Sequence, residues 1–242
     1  MANFYLVEEL VSADTGALVA VTGAEARHIA QVARTRAGER LTLGNGRGLV
    51  VEGVVESAVP DAVAVRAQTV WHTDAPRPVI RLAQALAKGD RDELAIQAAT
   101  ELGVDGVIPW QAERSVSRWS GPKREKGRER WAAIVREAAK QSMRSWLPEV
   151  EPLATTAELI ERAAGARMLV LEPSAEHSLT AIHPDGRELL LVVGPEGGIA
   201  PAELAALSAA GAETVRLGPT VLRTSTAGPA ALAILNAALG RW

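Results

Sequence analysis

Residues 189–198 read Leu-Leu-Leu-Val-Val-Gly-Pro-Glu-Gly-Gly. Five apolar residues in a row, closed by a glycine-proline turn, are the pattern of a short strand buried on both faces. A helical pattern follows from Pro201, a residue suited to the first turn of a helix. The arrangement recurs downstream, where an apolar run at 214–217 leads into Gly218-Pro219-Thr220-Val221-Leu222-Arg223 and then a helix over about 226–239. Both loops therefore follow a strand and precede a helix, the place where α/β proteins bind ligands.

Outward from these loops the pattern remains strand-helix. Strands are expected over 79–86, 106–110 and 168–171. Asp90 is read as an N-cap for a helix over 91–102, with Gly103 closing it. Such alternation predicts a mainly parallel sheet covered on both faces. Residues 1 to about 70 differ: β-like stretches at 41–43, 49–55 and 62–70 are separated by turn signals at Gly44-Asn45-Gly46 and Val59-Pro60-Asp61, and one helix is expected near 24–33. This reads as a small, mostly antiparallel β domain. Residues 71–78, polar and carrying Pro76 and Pro78, are taken as the linker, which divides the chain into domains 1–72 and 73–242.

Composition narrows the chemistry. The chain has no cysteine, which removes disulfides, thiolate nucleophiles and cysteine zinc sites, and its four histidines show no metal-ligand spacing. No metal is expected. The apolar runs are short and the N-terminus lacks a signal pattern, so a soluble, cytoplasmic protein with no membrane span is expected. The net charge of −3 conceals a basic segment: from Arg114 to Arg144 there are ten Lys/Arg against three Glu. A local excess of this size can neutralise several phosphates, although a solvated helix with internal Glu–Arg pairs would look the same. The helix expected from about Trp131 puts Trp131, Ile134, Val135, Ala138 and Ser142 on one face, and Arg136, Lys140 and Arg144 on another. In the last helix, Ala227, Ala230, Ala231, Ile234, Leu235, Ala238 and Leu239 form a stripe of small and apolar residues that fits either a dimer interface or a tightly packed core.

The two loops suit a planar, polar ligand. Gly194, Gly197 and Gly198 permit positive φ and close backbone approach, and Pro195 stiffens the turn. The dinucleotide and phosphate-loop fingerprints are both absent. Leu217, Val221 and Leu222 with free backbone groups fit a flat heteroaromatic ring, and Arg223 fits a substrate oxygen.

These residues carry a resemblance. Gly194 to Gly198, Leu217-Gly218 and Leu222-Arg223-Thr224 resemble the C-terminal motifs of the SPOUT class of S-adenosylmethionine-dependent methyltransferases, and most of all the ribosomal RNA small subunit methyltransferase E family. That family methylates N3 of a uridine in 16S ribosomal RNA. The likeness spans the chain: His28 to Gly38 (HIAQVARTRAG) resembles the family's PUA-like RNA-binding domain, Glu101-Leu102-Gly103-Val104 a further signature, and Glu137 to Arg144 (EAAKQSMR) its basic helix. One departure is Ser225, where the family commonly has glutamate.

The resemblance implies an α/β fold in which a C-terminal parallel sheet with a deep trefoil knot follows a small PUA-like β-barrel, and it implies a homodimer. It implies S-adenosylmethionine held by Leu171, Glu172, Gly194, Pro195, Glu196, Gly197, Gly198, Leu217, Gly218, Val221 and Leu222, with backbone groups of Gly194, Gly198, Leu217 and Leu222 in contact. Arg223 is the candidate for stabilising a deprotonated uracil, and Glu196 is either a proton acceptor or a helix cap. A structural salt bridge is the other reading of Arg223. RNA would be gripped by Arg27, Arg34 and Arg36 on the first domain and by Arg114, Arg118, Arg136, Lys140 and Arg144 on the second. Trp119 is the stacking candidate, whereas Trp131 falls on an apolar face. Three other readings stand beside this one, one of them a generic nucleotide-binding α/β enzyme, against which the absent phosphate-loop and dinucleotide motifs count. A ribose 2′-O methyltransferase of the same class would carry Asn-Val-Ser-Val-Ala where this chain has Arg223-Thr224-Ser225-Thr226-Ala227. A non-catalytic ribosome-assembly factor would keep the fold without binding the cofactor.

Overall fold

A computed structural model describes residues 3–183 and 185–242, which divide into two compact units. The first holds residues up to 75 together with Ala139–Leu147. Its strands are β1 (Phe4–Leu6), β2 (Leu18–Thr22), β3 (Arg40–Gly44), β4 (Leu49–Val59) and β5 (Ala62–His72). They form one sheet in the order β1-β3-β4-β5-β2, antiparallel except for the β1–β3 pair. Alternating residues such as Val19 and Val21, Leu41 and Leu43, and Val63 and Val65 bury their side chains in a core shared with Ile29. Register shifts at Glu52/Gly53 and Val55/Ser57 mark bulges that bend the long β4–β5 pair. Gly53 belongs to one of them, because a Cβ there would lie 2.6 Å from the Arg66 carbonyl oxygen.

Three expectations change in this part of the chain. The helix expected over 24–33 is a short α1 (Gly23–Arg27) continued by a single π turn, His28–Val32. Trp71 and His72 do not open a linker but extend β5, pairing with Val50 and Leu49, since the prolines that stop a strand begin only at Pro76. The end of the basic helix returns to this unit. Ala139 and Leu147 pack with Phe4, Leu6 and Val50, and the Trp146 indole N–H donates to the Thr73 carbonyl oxygen at 3.0 Å.

The second unit contains β6 (Ile80–Ala85), α2 (Arg91–Glu101), β7 (Gly106–Trp110), most of α3 (Lys123–Gln141), β8 (Glu149–Val150), α4 (Thr156–Arg162), β9 (Arg167–Leu171), β10 (His177–Ser178), β11 (Leu189–Val193), α5 (Pro201–Ala209), β12 (Glu213–Arg216) and α6 (Thr224–Ala238). All seven strands are parallel, in the order β10-β12-β9-β11-β6-β7-β8. The α/β class with a parallel sheet after a small β domain is therefore as expected. Every residue of β11 is buried, as a central strand covered on both faces requires. Leu159 of α4 and Leu207 of α5 join the cluster built on Ala83, Ile108, Val170 and Val192. The alternate residues face α6, where Gly228 comes so close that a Cβ would lie 3.2 Å from Leu82.

The helix expected from Trp131 begins eight residues earlier, at Lys123. Its first two turns are charged and show no apolar period, and an i,i+3 pair between Glu125 and Arg128 at 2.7 Å supports them instead. At the start of α2, Asp90 has φ 58° and makes no capping bond. The neighbouring Asp92 carboxylate accepts from the backbone N–H groups of Ala87 and Glu93 at 3.2 and 2.9 Å. In the closing helix Ala231 and Leu235 are core, Ala227, Ala230, Ile234 and Leu239 are half-buried, and Ala238 is exposed.

Candidate functional site

The neighbouring order β12-β9-β11 and the register Val170↔Val192 and Leu171↔Val215 bring three strand ends to one edge of the sheet. Parallel strands send their following loops to the same side, so residues after Leu171, Val193 and Arg216 emerge together. Between them lies a cavity of about 380 Å³.

Of the residues expected to hold the cofactor, Leu171, Glu172, Gly194, Pro195, Glu196, Gly198, Leu217, Gly218, Val221 and Leu222 all line this cavity. Gly197 does not; its carbonyl oxygen instead accepts from Arg114 Nη1 at 3.0 Å. The backbone N–H of Gly198 is already used in a turn to the Pro195 carbonyl oxygen at 2.9 Å, so it is not a free donor. Among the described residues, the N–H groups of Gly218, Val221 and Leu222 enter no backbone hydrogen bond. Gly198 has φ +71°, and a Cβ built on it meets nothing within 4 Å. Apolar side chains, free backbone donors and an open glycine cradle match the parts of S-adenosylmethionine, a flat base beside polar and charged groups.

The catalytic candidates are both at the cavity. Arg223 precedes α6, is exposed, and its guanidinium has no hydrogen-bond or ion-pair partner among the described residues. The salt-bridge reading of this residue has no counterpart there. Glu196 Oε1 accepts from the Lys88 backbone N–H at 2.9 Å and from Arg91 Nη1 at 3.2 Å. It does not cap the helix that follows it. Glu172 Oε1 accepts from Ser174 N and Oγ at 3.2 and 2.9 Å, which folds the turn after β9.

Sequence reasoning missed several cavity residues. Arg91 lines the cavity and pairs with Glu196, yet sits 105 residues away from it. Arg216 also lines it but is bound to the carbonyl oxygens of Ala175 and Glu176 at 2.6 and 2.7 Å. Thr224 is 6% exposed, donates to the Gly194 carbonyl oxygen and accepts from Gln84 Nε2, both at 2.8 Å. On the far side of the Lys88–Arg91 turn, Asp92 lines a second hollow with Trp119 and Trp131. Burial pushes the Asp92 carboxyl above its usual range, against the lowering effect of its two backbone hydrogen bonds.

The expected RNA-binding residues are not equivalent. Arg27, Arg34 and Arg36 are exposed, without ion-pair partners among the described residues. Arg118 is exposed with one bond to the Glu113 carbonyl oxygen, and Arg114 is exposed and braced on the Gly197 loop. Arg136 and Arg144 are half-buried. Lys140 must be removed from the set: it is 5% exposed and paired with Glu25 at 3.3 Å, so it holds the fold and offers nothing to a phosphate. Trp119 is half-buried, edge-on to Trp131 at 5.5 Å, and seated against Gly127, where a Cβ would lie 2.4 Å from its ring. Part of its stacking surface is thus already covered. Among the described residues no helix is long and apolar enough to cross a membrane, and no cluster of potential metal ligands occurs.

Comparison with known proteins bears on this geometry. A family model described as an RNA methyltransferase domain matches residues 74–236, and one described as an RNA methyltransferase PUA domain matches residues 21–67. The chain is 47% identical over 95% of its length to a ribosomal RNA small subunit methyltransferase E of Mycobacterium bovis, covering 90% of that protein. It is 34% identical over 89% of its length to the protein of that name from Bacillus subtilis, covering 88% of it. Among solved structures, that of a ribosomal RNA small subunit methyltransferase E from Neisseria gonorrhoeae bound to S-adenosyl methionine superposes with a TM-score of 0.87 at 29% identity, over 98% of both chains.

Proposed function

The chain belongs to the ribosomal RNA small subunit methyltransferase E family, and from that footing we propose that it methylates N3 of one uridine in 16S ribosomal RNA, with S-adenosylmethionine bound in the 380 Å³ cavity. The observation that carries this reading is the convergence of the 194–198 and 217–223 loops on one cavity with an unpaired arginine at its edge. When bound, S-adenosylmethionine supplies an electrophilic methyl group. The protein's own task is to orient a uracil against it and to favour the deprotonated imide. Arg223, exposed and unpaired among the described residues, offers a planar fork to a uracil carbonyl oxygen, where negative charge gathers as N3 loses its proton. Of the two carboxylates that line the cavity, Glu172 is turned to Ser174 and Glu196 is the candidate proton acceptor. Its Oε1 braces Lys88 and Arg91, and Oε2, without a partner among the described residues, is the atom left to accept the imide proton.

Residues 1–72, completed by Ala139–Leu147, belong to this reading as the RNA-binding domain and the remainder of 73–242 as the methyltransferase domain, with Arg27, Arg34, Arg36, Arg114, Arg118, Arg136 and Arg144 gripping phosphates of an assembled small subunit in the cytoplasm. The trefoil knot is part of it too. Its support is the return of the chain from β12, at the far side of β9, to Thr224 over the Gly194 loop. A homodimer completes the proposal, supported by Val221 and Leu222, which are 76% and 36% exposed beside the cavity.

The test is methyl transfer from labelled S-adenosylmethionine to small ribosomal subunits from cells lacking the enzyme, with free 16S RNA and transfer RNA in parallel. Label recovered as 3-methyluridine at one site is the expected result. Label on a ribose oxygen, or none with any of the three substrates, overturns it.

A further inference from the structure

Gln84 is a fully buried amide near the end of β6, beside apolar Leu82, Ala83 and Ala85, and it does not line the cavity. Its Nε2 lies 3.1 Å from the Ala85 carbonyl oxygen and 2.8 Å from Thr224 Oγ1, and Thr224 Oγ1 lies 2.8 Å from the Gly194 carbonyl oxygen. Valence fixes the direction of this chain. A carbonyl only accepts, so the amide atom facing Ala85 must be the nitrogen, and the same nitrogen donates to Thr224. The one hydroxyl proton of Thr224 therefore goes to Gly194. Gln84 Oε1 is left buried with no partner among the described residues, so the amide gives up an acceptor bond to keep this orientation.

Among the described residues, the bond at the Gly194 carbonyl is the only polar hold on its peptide group, because the next residue is Pro195 and the peptide has no N–H. Setting that carbonyl sets the plane from which the Pro195-Glu196 turn departs. Thr224 is also the first residue of α6, directly after Arg223. One hydroxyl thus joins the two loops that form the cavity, and a side chain outside the cavity decides how that hydroxyl is used.

We propose that Gln84 is a positioning residue for methyl transfer, acting through Thr224 to hold the Gly194 loop and Arg223 in one fixed relation. This rests on the methyltransferase reading above. In the full-length protein, S-adenosylmethionine affinity by calorimetry, kcat on small ribosomal subunits and Tm are measured for Thr224→Ser, Thr224→Val, Gln84→Met and the Thr224→Val/Gln84→Met double variant. Thr224→Ser keeps the hydroxyl and should stay within about threefold of wild type in affinity and kcat. Thr224→Val and Gln84→Met should each weaken affinity or kcat about tenfold or more. The double variant should be no worse than the poorer single one, because both cut the same chain of bonds. Thr224→Ala reads the same bond if Thr224→Val does not fold. Single variants that lose only Tm, or a double variant whose losses multiply, overturn the proposal. Failure of the wild-type protein to bind S-adenosylmethionine would overturn the methyltransferase reading, and this positioning role with it.

Discussion

Gly198 separates two effects that substitutions in a binding loop usually mix. Its φ of +71° would strain any L side chain, at a cost of about 1–2 kcal/mol. For a chain of this size each kcal/mol lowers Tm by roughly 2–4 °C, so both Gly198→Ala and Gly198→Phe should lose about 2–8 °C. They differ in bulk. The alanine Cβ meets no atom within 4 Å, whereas a phenylalanine brings a ring of roughly 150–250 Å² of surface to a cavity of about 380 Å³. S-adenosylmethionine Kd should rise only a few-fold for Gly198→Ala but at least about 100-fold more for Gly198→Phe, a difference of about 2.7 kcal/mol. Calorimetry gives Kd directly, and differential scanning gives a second reading. At a ligand concentration of about 100 Kd the wild-type protein should gain about 2.7 kcal/mol, a rise in Tm of roughly 5–11 °C that the phenylalanine variant should not show. Equal Kd values for the two variants would place the cofactor elsewhere and refute the assignment of this cavity.

Other perturbations test separate parts of the argument. Arg223→Lys keeps a charge but loses the planar fork, and kcat should fall about 100- to 1000-fold with S-adenosylmethionine Kd within about threefold, as read by steady-state kinetics beside calorimetry. Glu196→Gln keeps an acceptor for Lys88 and Arg91 but cannot take a proton; an expected kcat loss of about 100-fold would be absent if Glu196 only braces the loop. Replacing Arg27 and Arg36 with glutamine should reduce the slope of log K for RNA against log salt by about 0.7–0.9 per arginine, whereas an unchanged slope would remove both from the interface. Gly127→Ala drives a Cβ into the Trp119 ring at 2.4 Å, and should cost about 1–3 kcal/mol and alter near-ultraviolet circular dichroism; a neutral Tm would show that Trp119 is loosely seated.

What could be read from sequence was local. The strand at 189–193 and its loop were legible because five buried positions in a row and a Gly-Pro turn leave few other structures. Arg223 stood out as the one cation in an apolar loop. Arg91 did not, because nothing at the start of α2 shows that Glu196, 105 residues on, will reach it. Gln84 and Thr224 are 140 residues apart and neither is unusual in its own neighbourhood. Lys140 shares a helical row with Arg136, yet its partner is Glu25, 115 residues earlier, and only the tertiary fold takes it out of solvent. The charged first turns of α3 were missed for the opposite reason: they bury little and so lack the apolar period that marks a helix.

The return of residues 139–147 to the N-terminal unit bears on how the protein is made. On the ribosome, domains tend to fold in the order in which they emerge. Here the first unit is interrupted, and Phe4, Leu6 and Val50 lack their packing partners Ala139 and Leu147 until more than sixty further residues beyond Ala75 have been synthesised. The N-terminal sheet must wait, partly uncovered, while β6, α2, β7 and α3 are translated, so its completion is a late event in synthesis. A chain truncated within the 71–78 segment would reproduce that waiting state rather than a finished domain.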